Sequence, residues 1–149
     1  MSVIPQAKAQ LRDLCAELWP DAAANLGAPS LDLPWEIVVV SDASANLDKP
    51  TAGGPRRSRE ETAEITVIIS VFRPDDTDDA QAECSARAWA MTEQLDTHLR
   101  ERGNETLDGL CREAWVSAYK SADYRLDADS LVAGRATDVT VTITAAARI

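Results

Sequence analysis

The chain has 149 residues, 45% of them hydrophobic and 27% charged, which is enough for one buried core and too apolar for a disordered polymer. Lys and Arg total 15 against 25 Asp and Glu, and a formal net charge of -10 argues against binding nucleic acid by neutralising its phosphates. The three cysteines, Cys15, Cys84 and Cys111, are scattered, odd in number and without CxxC or Cys/His spacing, which argues against a zinc site and a disulfide framework.

The N-terminal MSVIPQAKAQ has no apolar signal core, and the aliphatic run Ile37–Val40 is too short to span a bilayer. The expectation is a protein with no membrane segment, made in a cytoplasm or packed into a particle assembled there. Pro5 suits the first turn of a helix, and Leu11, Leu14, Cys15 and Leu18 recur at i, i+3, i+4 and i+7 until Pro20 stops the pattern. Asp21 to Pro34, with Gly27, Pro29 and Pro34, shows no period and reads as a loop. Trp35 to Val40 reads as a strand by its β-branched residues.

Ser41 to Glu61 combines Pro50, Gly53, Gly54 and Pro55 with a basic cluster, Arg56, Arg57 and Arg59, and has no apolar period. It reads as one long loop between the first two strands, because the residues before it are too few for a separate core. From Ala63 the period becomes two: Ile65, Val67, Ile69 and Val71 share one face, and Thr66, Ile68, Ser70 and Phe72 the other, until Pro74. The acidic run Asp75, Asp76, Thr77, Asp78, Asp79 then opens the longest helix, to about Arg102, its carboxylates expected to cap free N–H groups. Cys84, Ala88, Met91, Leu95 and Leu99 form its apolar stripe, Glu83/Arg87 and Asp96/Arg100 are expected ion pairs, and Gly103-Asn104 ends it. Ala114 to Leu126 reads as strand towards a turn near Asp127–Asp129, and in the closing segment Val139, Val141, Ile143, Ala145 and Ala147 alternate with threonines and Ala146. This order predicts an α+β fold: a single domain, 1–149, with an antiparallel-rich mixed sheet packed against an N-terminal helix and one long central helix.

The chemistry-bearing residues are few. The one histidine, His98, lies near the end of the long helix; a lone helical histidine more often packs or is solvated than catalyses, because a base needs an orienting partner. GGPRRS lacks the lysine-then-hydroxyl pair of a phosphate loop, and DDTDD lacks the glycine and glutamate of a calcium loop, so helix capping and solvation explain both more simply. No catalytic, cofactor-binding or metal site is expected. Two features read as candidate protein–protein contacts. Trp89 lies about 120° around its helix from the apolar stripe, where it serves either as an interface anchor or as a second flank buried within the domain. Arg56, Arg57 and Arg59 could dock an acidic neighbour, or be solvated like most loop arginines.

The order of elements resembles that of tail terminator (tail completion) proteins of long-tailed, non-contractile bacteriophages. The resemblance is carried by IPQAKAQLRDLCAEL, the strands WEIVVV and AEITVIISVFR, the helix DAQAECSARAWAMTEQLDTHL, and the tail CREAWVSAYKSADYRLD…TDVTVTITAAARI. It runs from Ile4 to Ile149 and is a match of order, length and strand parity, not of a residue motif. It implies an α+β fold and a six-membered ring of this chain capping the tail tube at the head–tail junction of the virion. It also implies contacts to the tail tube protein and to head-completion proteins, no enzyme activity and no cofactor. An acidic ring lumen would let DNA pass without specific binding. Two other readings stay open: another neck component, such as an adaptor or stopper, and a small dimeric α+β enzyme or ligand-binding domain, which would require a pocket lined by converging polar groups.

Overall fold

The computed structural model describes residues 1–27, 35–50, 58–126 and 133–149. Helix α1 spans Ile4–Leu18 with Pro5 in its first turn and buries Ala7, Leu11 and Cys15, while Leu14 and Leu18 flank the same core. Trp19 follows as C-cap, buried, and its indole N–H donates to Gln94 Oε1 at 2.8 Å, tying the end of α1 to the long helix. The Ser2 hydroxyl accepts from Ile4 N at 3.1 Å, but the N-cap residue, Val3, has no side-chain cap of its own. Glu61 supplies one from across the sheet: Oε1 accepts from Val3 N at 3.0 Å and from Ser2 Oγ at 3.1 Å, and Glu61 is 2% exposed. A carboxylate there also opposes the positive end of the helix dipole.

Five strands follow: β1 (Ala23–Leu26), β2 (Glu36–Leu47), β3 (Glu60–Arg73), β4 (Glu113–Leu126) and β5 (Gly134–Arg148). They form one sheet in the order β1-β2-β3-β5-β4, with β1 parallel to β2 and every other neighbour antiparallel. Strict alternation in β3 and β5 puts Ile65, Val67, Ile69 and Val71 beside Val139, Val141 and Ile143 on one buried face. Both helices cover that face, α1 over β1 and β2, and α2 (Asp78–Arg100) over β3, β5 and β4. The expected stripe Cys84, Ala88, Met91, Leu95 and Leu99 is the buried side of α2. The α+β layer, with a helix at the N-terminus, a long central helix and a mixed sheet, is as expected.

Several local expectations are corrected. Asp21 to Pro34 is not all loop, because Ala23–Leu26 pairs with Ile37–Val40; a four-residue edge strand is held by its neighbour's backbone and has no period of its own. The segment 41–61 is not one long loop. Its first part continues β2 through Leu47 after a bulge between Val40 and Ala43, and Glu60 and Glu61 already belong to β3, with Ser44 opposite Glu64 and Leu47 opposite Glu61. The connection that remains is 48–59. The cap of α2 is the Thr77 hydroxyl, which accepts from Ala80 N at 3.1 Å, while Asp78 and Asp79 sit in the first turn without capping. Glu83 and Arg87 do not pair with each other: Arg87 binds Glu36 at 2.7 Å and Glu83 binds Arg73 at 3.4 Å, because β2 and β3 offer those partners under the helix. Asp96/Arg100 does pair, at 3.9 Å.

Asp76, just ahead of α2, clips both last strands. It pairs with Arg135 of β5 at 2.7 Å and with Arg125 of β4 at 2.6 Å. The hydrogen bond from Arg135 is the main cause that lowers its pKa, and Arg125 adds to it. A folded-state pKa below the unfolded value makes this a contribution present above the ordinary carboxylate range near about 4 and lost as pH falls through the folded value. An Asp76→Asn chain is therefore expected to be less stable than the parent at neutral pH, with the gap closing in acid. Urea midpoints across pH test this, and a gap that persisted unchanged into strong acid would show that the charge is not responsible.

Candidate functional site

The helix-free face of the sheet is built from the alternate residues of the same strands. Thr66, Ile68, Ser70 and Phe72 of β3 lie beside Asp138, Thr140 and Thr142 of β5, all partly exposed. Asp138 Oδ1 accepts from Ser70 Oγ at 2.7 Å and from the Tyr124 hydroxyl at 3.1 Å. Burial first, then the Asp138 charge, pushes the Tyr124 hydroxyl up to about 12, so at neutral pH it stays protonated and donates. This trio braces β3, β5 and β4 across the open face. It offers no nucleophile, because the tyrosine is the wrong side of neutrality for a base and the serine donates to the carboxylate with no histidine between.

The two sides of the sheet are less ordinary. From Ser117 to Arg125 every residue of β4 is exposed, those on the helix side as well as those on the open side. Apart from Met1, the large hydrophobic residues exposed among the described residues sit on the flanks of the sheet: Leu26, Trp35 (56%) and Leu47 (47%) on one side, Trp115, Tyr119 (58%) and Tyr124 on the other. None lies on the helices or on the central strands β3 and β5. Tyrosine and tryptophan at an exposed edge present rigid apolar area with a polar tip, the composition of contact surfaces.

A shallow groove of about 300 Å³ opens beside α1, where Trp35, Glu36, Arg73 and Arg87 meet Trp19 and Asp21. The Arg73 guanidinium lies over the Trp35 ring at 5.6 Å, and Glu36 accepts from Arg87. Arg73 and Arg87 share Glu36, and Arg73 also reaches Glu83, so their charge is answered within the chain. The Glu36 hydrogen bond raises the Arg87 pKa further, which keeps it charged.

The candidates named from sequence fall as follows. Arg56 and Arg57 lie outside the described residues. Arg59 is not at a loop tip: its backbone N–H and C=O both pair with Ile149 at 2.9 Å, continuing the β3·β5 ladder. Trp89 is half-buried, packed edge-to-face on Tyr119 with ring centroids 5.1 Å apart and planes at 84°. It lies on the second flank of α2, packed against the core, and its ring contact with Tyr119 ties the helix to the exposed strand β4. The His98 ring hydrogen-bonds to none of the described residues, so no carboxylate orients it as a base. Cys15, Cys84 and Cys111 are free and buried, and burial raises all three thiol pKa values, that of Cys15 to about 12. Among the described residues no cluster of His, Cys, Asp or Glu is placed to hold a metal ion, and no helix is long and apolar enough to cross a membrane.

Trp35, Leu47, Trp115, Tyr119 and Tyr124 were not singled out from the sequence. The available signal was in AWVSAYKSADYRL, a strand without a clean apolar alternation after Val116, as an edge strand exposed on both faces would be. Comparison with protein-family models and with curated proteins finds no match to this chain.

Proposed function

We propose that this chain is a structural subunit of a long-tailed, non-contractile bacteriophage, forming a ring of six copies at the head-proximal end of the tail tube, where it ends tail polymerisation and joins tail to head. The observation that carries this reading is the gathering of exposed aromatic and aliphatic side chains on the two opposite flanks of one sheet, which suits a subunit with a neighbour on each side. The helices and strands of the described residues keep the order on which the resemblance rests, and a net charge of -10 suits a lumen through which DNA passes without specific binding. In this role the partners are further copies of the chain, the tail tube protein and the head-completion proteins, and no catalytic group or cofactor takes part. The neighbouring reading, another neck component such as an adaptor or stopper, rests on the same surfaces. A small dimeric enzyme or ligand-binding domain would need a pocket of converging polar groups, and in the groove at Trp35 and Arg73 the guanidinium already binds carboxylates.

The decisive experiment is electron microscopy of particles carrying a labelled copy of this chain, with the density expected as a ring between tail tube and head. Loss of the chain should leave tails of unregulated length that do not join heads. Normal particles assembled without it would end the proposal.

A further inference from the structure

We propose that copies of this chain join edge to edge, the outer side of β4 (Ser117–Arg125) of one copy pairing with the outer side of β2 (Ala43–Leu47) of the next, so that one sheet runs on into its neighbour. The cyclic geometry of this inference rests on the ring reading; the edges themselves are features of the fold.

Two open edges face opposite ways. On one side β4 ends the sheet, bonded to β5 alone. On the other side β1 covers only Ile37–Val40 of β2, while β2 runs on to Leu47. From Ala43 to Leu47 the strand is bonded on its β3 side, and none of the described residues pairs with its outer side. Unpaired backbone donors and acceptors along an edge are a template for another strand, and a fold normally blunts such edges by keeping them short or covering them. Here β4 has 14 residues and nothing described covers its edge.

Charge chooses between the pairings these edges allow. Lys120 is exposed in the middle of the open stretch of β4 and has no ion partner among the described residues. Asp42 and Asp48, exposed at the two ends of the open stretch of β2, likewise have none. A β4–β4 junction would bring Lys120 towards its own copy, and a β2–β2 junction would gather four carboxylates, two from each chain. The β4–β2 junction sets a free cation against free carboxylates, and opposite charges across strands stabilise where like charges destabilise. Large apolar side chains stand ready on both sides, Tyr119 and Tyr124 on one, Leu47 on the other. Because β2 and β4 run in opposite directions within the sheet, a sheet continued from copy to copy makes the junction antiparallel. A contact between unlike surfaces is heterologous and closes into a ring when its rotation allows.

Disulfide trapping on the purified full-length chain tests this. One chain carries Ala118→Cys, Lys120→Cys or Ala122→Cys, its partner chain Ser44→Cys or Asn46→Cys, all at exposed positions, and the buried native thiols contribute little background. A disulfide forms only where the two Cα atoms come within about 7 Å, so it reports the register as well as the contact. Under mild oxidation at least one mixture is expected to give the mixed disulfide over either like-with-like product by about tenfold or more, since paired edges raise the local thiol concentration from micromolar towards millimolar. Lys120→Glu in chains bearing Ala118→Cys should lower that yield, and Asp42→Lys in the partner should restore it. Statistical ratios in every mixture, or a β4–β4 product in excess, would overturn the proposal. The same cysteines in assembled particles separate the two claims: a neck ring whose copies do not cross-link would end the edge pairing alone. Mixed disulfides from a chain absent from the neck would end the phage reading alone.

Discussion

A Gly134→Val chain is expected to lose about 3 kcal/mol of stability or more, at the upper end of overpacking substitutions. Gly134 opens β5 where the strand passes the end of β3, and a Cβ there would overlap the backbone oxygen of Arg73 and lie 2.8 and 2.9 Å from Cε2 and Cζ of Phe72. The Phe72 ring can turn. The Arg73 carbonyl cannot move away alone, because its residue is held by the Arg135 ladder position and by side-chain contacts to Glu36, Glu83 and the Phe72 carbonyl. The methyls therefore have to push the β3 and β5 strand ends apart, next to the Asp76 clip. For a chain of this length each kcal/mol lowers the melting temperature by about 2–4 °C. Gly27→Ala is the control: its φ of +75° carries a strain of about 1–2 kcal/mol, but nothing lies within 4 Å of the added carbon. Equal melting of Gly134→Val and the parent would show that the close approach is relieved at no cost.

A Glu61→Ala chain is the second large loss, about 1–3 kcal/mol, because it leaves the Val3 N–H and the Ser2 hydroxyl without their acceptor at a site that is 2% exposed. Glu61→Gln keeps an amide oxygen for Val3 and should lose less, while Glu61→Leu fills the volume yet still leaves both donors unpaired. The order expected in urea denaturation is parent, then Gln, then Leu and Ala. The loss should also appear locally, as faster hydrogen exchange in the first turn of α1. If Glu61→Leu proved as stable as the parent, packing rather than capping would be what Glu61 contributes.

Glu61 also marks where reading from sequence stopped short. At a position in phase with Ala63, Ile65, Val67, Ile69 and Val71, it sits on the buried face, but a glutamate in that place says nothing about a partner 58 residues earlier. The same holds for Glu83 and Arg87, whose spacing suits a helical pair and whose nearest opposite charges come from strands beneath them. Of the candidate contact residues, Arg59 reads as loop because its segment lacks a period, and the period of the helix says nothing of the ring contact that Trp89 makes with Tyr119.

What the sequence determined by itself was everything governed by a period: the two helices, the alternation of β3 and β5, the buried faces of both, and hence the α+β layer. Those signals are legible because a buried face must repeat with the geometry of its own element, whatever lies opposite. Only the tertiary structure decided that Ser41–Leu47 extends β2, that β1 exists, and that β4 lies at an edge with every residue exposed through Ser117–Arg125. In those segments the hydrogen bonds are set by a neighbouring backbone. Backbone pairing leaves no side-chain pattern to read, and an edge is defined by which strand is not there.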